Sequence, residues 1–114
     1  MNSKLTLSFT AGLLCLVLLP QSARAGGQEL AGKQKSASCA ACHGADGKSI
    51  DPNYPNLAGQ YESYLIKALS DYRSGKRTNV IMAGMATPLS NQDIEDLAAF
   101  YSSLEGNLSD LSGR

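Results

Sequence analysis

Five residues constrain this chain more than any others. Cys39, Ala40, Ala41, Cys42 and His43 form a C-x-x-C-H sequence, the signature of c-type haem attachment. Two thiols three positions apart on a helical turn can each add to one vinyl group of a single haem, and the next imidazole is then held beneath the iron as proximal ligand. Ala40 and Ala41 are small, so a porphyrin edge can approach the backbone. Three other readings compete. A redox-active C-x-x-C expects a surrounding βαβ pattern, and none is visible. A structural zinc site needs four ligands, but the whole chain offers three cysteines and one histidine. A plain disulfide would close a loop too short to stabilise much and would leave His43 unexplained. The motif therefore predicts one haem c, bound through Cys39 and Cys42, with His43 on the metal.

The 114 residues open on a segment that reads as a cleaved signal peptide. Lys4 gives it a positive start, the run from Phe9 to Leu19 is largely apolar, and Ala23-Arg24-Ala25 places small residues at both recognition positions of a signal peptidase. That run is about half of the roughly 20 residues a spanning helix needs, which weighs against an uncleaved anchor. Cleavage after Ala25 predicts a periplasmic domain over 26–114. Lys4 and Arg24 leave with the leader, so the 10 basic residues fall to 8 against 10 acidic, a net charge of −2. That is too mild to argue for nucleic acid or an anionic membrane surface. Cys15 also leaves, and the mature domain keeps no Trp and a single Phe, Phe100. Its core is thin for an exported domain without disulfides, and a haem would fill it.

The pattern along the chain is all-α. A short helix is expected from about Gln28 to Ser38, followed by a loop over 44–59 that Pro52 and Pro55 keep irregular. Tyr61, Tyr64, Leu65, Ala68, Leu69 and Tyr72 recur at helical spacing, predicting one apolar face over about 60–74 with Gly75 as its stop. Residues 78–89, with Met82, Gly84, Met85 and Pro88, read as a second loop. Ser90 then caps a last helix, with Asp93 at the capping-box position and Ile94, Leu97, Ala98, Tyr101 and Leu104 as its buried stripe. The expectation is three main helices plus loops wrapped around one covalently bound haem, with a frayed tail from Asn107 to Arg114. The tyrosines at 61, 64 and 72 read as core, and Lys33, Lys35, Lys48 and Lys67 as solvated surface. Gln60, Arg77 and Asn79 could reach haem propionates, but spacing does not establish it.

His43 is the only histidine, so a sixth ligand must be another residue type or the position is vacant. Met82 and Met85 sit together in the segment before the last helix, where either thioether could close over the opposite haem face. The competing reading for each is a flexible core filler.

Three stretches carry a resemblance: Cys-Ala-Ala-Cys-His-Gly-Ala-Asp-Gly at 39–47, Pro-Asn-Leu-Ala-Gly-Gln at 55–60, and Met-Ala-Gly-Met-Ala-Thr-Pro-Leu-Ser-Asn-Gln-Asp-Ile-Glu-Asp-Leu-Ala-Ala-Phe-Tyr at 82–101. The chain resembles a class I c-type cytochrome, and within that class a single domain of the two-haem bacterial cytochromes of the c-four type. The resemblance implies the class I cytochrome c fold. It implies that the second iron ligand is Met82, eight positions before Ser90, with Met85 packed nearby. It implies that the Pro55 carbonyl accepts the imidazole N–H, and that Gly32 and Phe100 meet where the first and last helices cross. The resemblance covers one domain, so the expectation is a single haem without a relay to a covalently joined second one.

Together these readings predict a periplasmic single-electron carrier, not an enzyme. It would shuttle between respiratory or dehydrogenase partners through transient contacts with redox proteins, using no nucleic acid and no small-molecule substrate. It would meet the membrane only through partner complexes. The alternative is a dedicated cytochrome subunit of a periplasmic dehydrogenase, for example one oxidising sulfide, sulfite or an alcohol. A haem enzyme would need an open sixth position and distal acid–base groups, which a chain with one histidine and two neighbouring methionines does not suggest.

Overall fold

The computed structural model describes residues 26–106. The expected signal peptide over 1–25 and the tail from Asn107 lie outside the described residues. Within them the fold is five helices and no strand: α1 Glu29–Lys35, α2 Ala37–His43, α3 Glu62–Ser74, α4 Val80–Ala86 and α5 Asn91–Ser103.

The first expected helix is two. α1 and α2 are separated by Ser36 alone, a buried residue whose hydroxyl donates to the Lys33 carbonyl at 2.8 Å. A Ser side chain that bonds its own preceding turn competes with helix continuation, which accounts for the break. α2 then runs through the whole C-x-x-C-H motif and stops at Gly44, whose φ of +83° a side chain would strain.

Residues 78–89, expected as a loop, contain α4. Its start is fixed by Asn79, whose side-chain oxygen accepts from the Met82 backbone N–H at 2.9 Å. Asn is among the strongest N-caps, and Val80-Ile81-Met82-Ala83 after it lacks any helix breaker. α3 and α5 agree with the sequence pattern. Gly75 ends α3 in the left-handed conformation, and α5 opens with a reciprocal capping box. In that box Asp93 N–H donates to the Ser90 hydroxyl at 3.1 Å, and Ser90 N–H donates to the Asp93 carboxylate at 2.9 Å.

The core lies where α5 meets α1 and α3, and its central cluster is Leu65, Leu97, Ala98, Phe100 and Tyr101. At about 1.5–3 kcal/mol for each large apolar side chain fully buried, this cluster is the main apolar stabilisation visible in the polypeptide. α1 crosses α5 at Gly32. A Cβ there would lie 1.9 Å from the Asp96 carbonyl oxygen and 2.7 Å from the Phe100 Cβ, so glycine is a requirement of the crossing.

A buried carboxylate reinforces the same contact. Asp96, 2% exposed, accepts from the Gln28 N–H (2.8 Å), the Gln92 side chain (2.8 Å) and the Lys35 ammonium (2.5 Å). Desolvation pushes its pKa up. The Lys35, Gln92 and Gln28 bonds outweigh that and hold it below the ordinary carboxylate value. Lys35 also pairs with Asp93 at 2.8 Å and, with the Ser90 bonds, drives that carboxyl well down too. Lys35, expected as plain solvated surface, is thus an interhelical clamp.

Two of the three tyrosines expected as core, Tyr61 and Tyr64, differ from expectation, while Tyr72 is half-buried. Tyr61 is 74% and Tyr64 47% exposed, and only Leu65 of that face is fully buried.

Candidate functional site

α2 presents both cysteines half-buried and unpaired, three positions apart on a single helical turn. Cys39 packs against the core cluster, while His43, at the helix end, is 6% exposed. Its ring is held from two sides. Nδ1 lies 2.8 Å from the Pro55 carbonyl oxygen, and the Tyr54 ring meets the imidazole edge-on with centroids 6.4 Å apart. A carbonyl can only accept, so Nδ1 carries the proton and Nε2 keeps its lone pair free for a metal.

The carbonyl of Pro55 is positioned by a loop that bonds to itself. Leu57 and Ala58 N–H groups both donate to the Gly47 carbonyl, at 2.8 and 3.0 Å. Asn56 accepts from the Ser49 N–H at 2.8 Å, and the Ser49 hydroxyl reaches the Cys42 carbonyl at 3.0 Å. The Gly, Asn and Pro that excluded a helix here supply these turns. Tyr54 and Ser49 were not singled out from the sequence. Neither belongs to a motif, and their roles depend on how the loop folds back on α2.

Met82 and Met85 lie on α4, which packs on α3. Met82 is half-buried and Met85 37% exposed. Thus the structure joins His43 to Pro55 and sets Cys39 and Cys42 on the same turn, but places Met82 apart. Among the described residues the backbones of α2 and α4 make no close approach. Of the residues considered for propionates, Gln60 bonds the Tyr61 N–H and Asn79 caps α4. Arg77 donates to the Tyr64 hydroxyl at 3.2 Å and stacks over the Tyr72 ring at 4.9 Å.

A flat, largely apolar macrocycle fits these residues. Apart from Leu30, every exposed large hydrophobic among those described falls in two segments: Ile50, Tyr61 and Tyr64, and Val80, Ile81 and Met85. Exposed apolar side chains of this number suit a large apolar ligand. The donors match as well, since two thiols and a lone-pair nitrogen on one turn suit a ligand tethered at its edge and coordinated at its centre. Among the described residues no cluster of three or more His, Cys, Asp or Glu side chains could hold a bare metal ion.

The comparisons with known proteins agree. The family described as cytochrome c matches residues 25–105. Cytochrome c4 of Pseudomonas aeruginosa is 50% identical over 91 residues, covering 80% of this chain and 45% of that protein. Cytochrome c-554(548) of Halomonas halodenitrificans is 46% identical over 82 residues, covering 69% of this chain and 99% of that protein. Among solved structures, reduced recombinant cytochrome c4 from Pseudomonas stutzeri superposes with a TM-score of 0.68 at 48% identity, covering 71% of this chain and 47% of that one. The chain spans about half the length of the cytochromes c4 it matches.

Proposed function

Since the chain belongs to the cytochrome c family, whose cofactor is covalently bound haem c, we propose that it is a periplasmic single-electron carrier of 26–114 released by cleavage after Ala25. Haem c, when bound, supplies the one-electron iron couple. The observation that carries the residue assignment is the imidazole: a buried His43 whose Nδ1 is taken by Pro55, next to two free thiols. Cys39 and Cys42 would hold the haem as thioethers, each thiol adding across one vinyl group with its hydrogen passing to the neighbouring carbon. His43 would hold the iron through Nε2, with the Pro55 bond fixing the ring plane and raising its basicity. Met82 would supply the second ligand. It comes from the first turn of a helix whose register is pinned by Asn79 at that residue's own N–H. A thioether ligand raises the potential. With His43 and Met82 both given to the iron, the metal would have no position for a substrate, which supports a carrier over an enzyme.

Partners are redox proteins met transiently, and a net charge of −2 for 26–114 leaves docking little dependent on long-range steering. The reading as a dedicated acceptor of one dehydrogenase has a specific support. A protein described as thiosulfate dehydrogenase electron acceptor, from Thiomonas intermedia, is 46% identical over 72 residues, which cover 62% of this chain and 33% of that one. On that reading the donor is a sulfur-oxidising enzyme.

The test is an absorption spectrum of the mature protein in both oxidation states, followed by denaturation in alkaline pyridine. Haem that stays with the chain is expected, together with a weak far-red ferric band lost in Met82→Ala and kept in Met85→Ala. A high-spin spectrum that readily binds carbon monoxide would overturn the ligand assignment, and absence of covalent haem would overturn the whole reading.

A further inference from the structure

Tyr101 is the one described residue whose buried side-chain polar atom lacks a partner. It is 3% exposed, and its hydroxyl makes no hydrogen bond of normal geometry. The ring is packed on two sides. Phe100 lies against it at 5.0 Å between centroids, and at Gly47 the space where a side chain would begin is only 3.1 Å from the Tyr101 ring. A phenylalanine would fill this place without burying a polar atom, so the hydroxyl calls for an acceptor.

Two polar side chains stand beside it, Cys39 and Ser36. Burial and then Cys39 push the phenol pKa up, and Ser36 works the other way. The Ser36 proton is already spent on the Lys33 carbonyl, so Ser36 cannot donate to the phenol. Cys39 changes character on haem attachment. A thiol can donate or accept, whereas a thioether sulfur can only accept. Once attached, Cys39 offers a proton-free sulfur to the phenol, with the Ser36 oxygen as the rival acceptor.

We infer that the Tyr101 hydroxyl donates a hydrogen bond to the Cys39 sulfur, so that Tyr101 is a positioning residue acting on the haem through that thioether. This rests on attachment through Cys39. The bond locks one edge of the ligand against α5. It also draws electron density from the macrocycle periphery, which favours the reduced state. Among the described residues nothing comparable serves Cys42, where the Ser49 hydroxyl bonds the backbone carbonyl, so the two thioethers are inequivalent.

The experiment uses the holoprotein and Tyr101→Phe, both first shown by alkaline pyridine to keep their haem. Loss of covalent haem at that step would fault the attachment reading and not this one. Resonance Raman spectra in H2O and D2O then follow the two thioether C–S stretches. One band is expected to move with deuteration in the wild type and to lose that response in Tyr101→Phe. The midpoint potential of Tyr101→Phe should fall by about 18 mV, a twofold change in the reduced-to-oxidised ratio at 59 mV per tenfold. A wild-type spectrum with no isotope response in either C–S band overturns the inference, even if the potential moves, because altered packing alone would do that. A Ser36→Ala variant that abolishes the isotope response while Tyr101→Phe retains it overturns it equally.

Discussion

The two sides of this small domain are built on different terms. On one side α1 and α5 cross with backbone contact at Gly32 and a buried carboxylate whose bonds are all made. The other region comprises the 44–64 segment, tied to α5 by the Gly59 N–H on the Tyr101 carbonyl, and α4. Backbone turns and side chains bonding nearby backbone order it, and Ile50, Tyr61, Val80 and Ile81 are left uncovered. The first side needs only the polypeptide. The second has its polar bookkeeping closed and its apolar side open, which is how a polypeptide shaped around a large apolar ligand differs from one that is merely loose.

The largest effect should come from removing the two thiols proposed as tethers. In Cys39→Ala/Cys42→Ala we expect no covalent haem. Hydrogen-exchange protection should collapse over 44–64 and 80–86, with the α1–α5 crossing the last region to exchange. Equal loss on both sides would break the comparison. Gly32→Val attacks the self-sufficient side by forcing a side chain against the Asp96 carbonyl. Overpacking of this kind should cost about 3 kcal/mol in denaturant melts of the holoprotein.

Asp96→Ala should cost about 2 kcal/mol at pH 7, for hydrogen bonds to a buried charge with the solvent-facing Lys35 pair discounted. The carboxyls of Asp93 and Asp96 are held below their ordinary value of 3.8. Their contribution is therefore full above that value and is lost as pH falls through the lower folded-state values. Lys35, raised above 10.5, contributes below that value and loses its share as pH rises through its folded value. Stability against pH should accordingly drop below about pH 4 in the wild type and less steeply in Asp96→Asn; superimposable acid limbs would refute the clamp. The smallest effect is expected for Asn79→Ala, about 1 kcal/mol for a lost N-cap. It should appear as faster exchange at the Met82 amide, with the α1–α5 crossing unchanged.

Legibility in the sequence followed the same division. Residues 39–43 and the Ser90–Asp93 box are local patterns whose chemistry lies in adjacent positions, and both could be read directly. Gly32, Phe100 and Pro55 took their places only through resemblance, because a helix crossing or a carbonyl 12 residues from its imidazole leaves no periodic trace. α4 was missed because a seven-residue helix between Asn79 and Thr87 is too short for a periodicity to emerge. Tyr61 and Tyr64 misled for a different reason. Their helical spacing marks a face that would be apolar in either case, and nothing in that spacing tells whether protein or ligand covers it. Lys35 looked like solvent-facing charge because its carboxylate partners lie about 60 positions away.

The joint at Ser36 has a mechanical consequence. Only one residue separates the helix clamped to α5 from the helix that bears both sulfurs and the imidazole, and its hydroxyl is bonded back onto the first. There is no slack in which a displacement of α1 could be absorbed before it reaches Cys39. Strain at the α1–α5 crossing would thus be delivered to the haem's surroundings, and the colour of the protein becomes a built-in gauge of whether these two helices are still engaged.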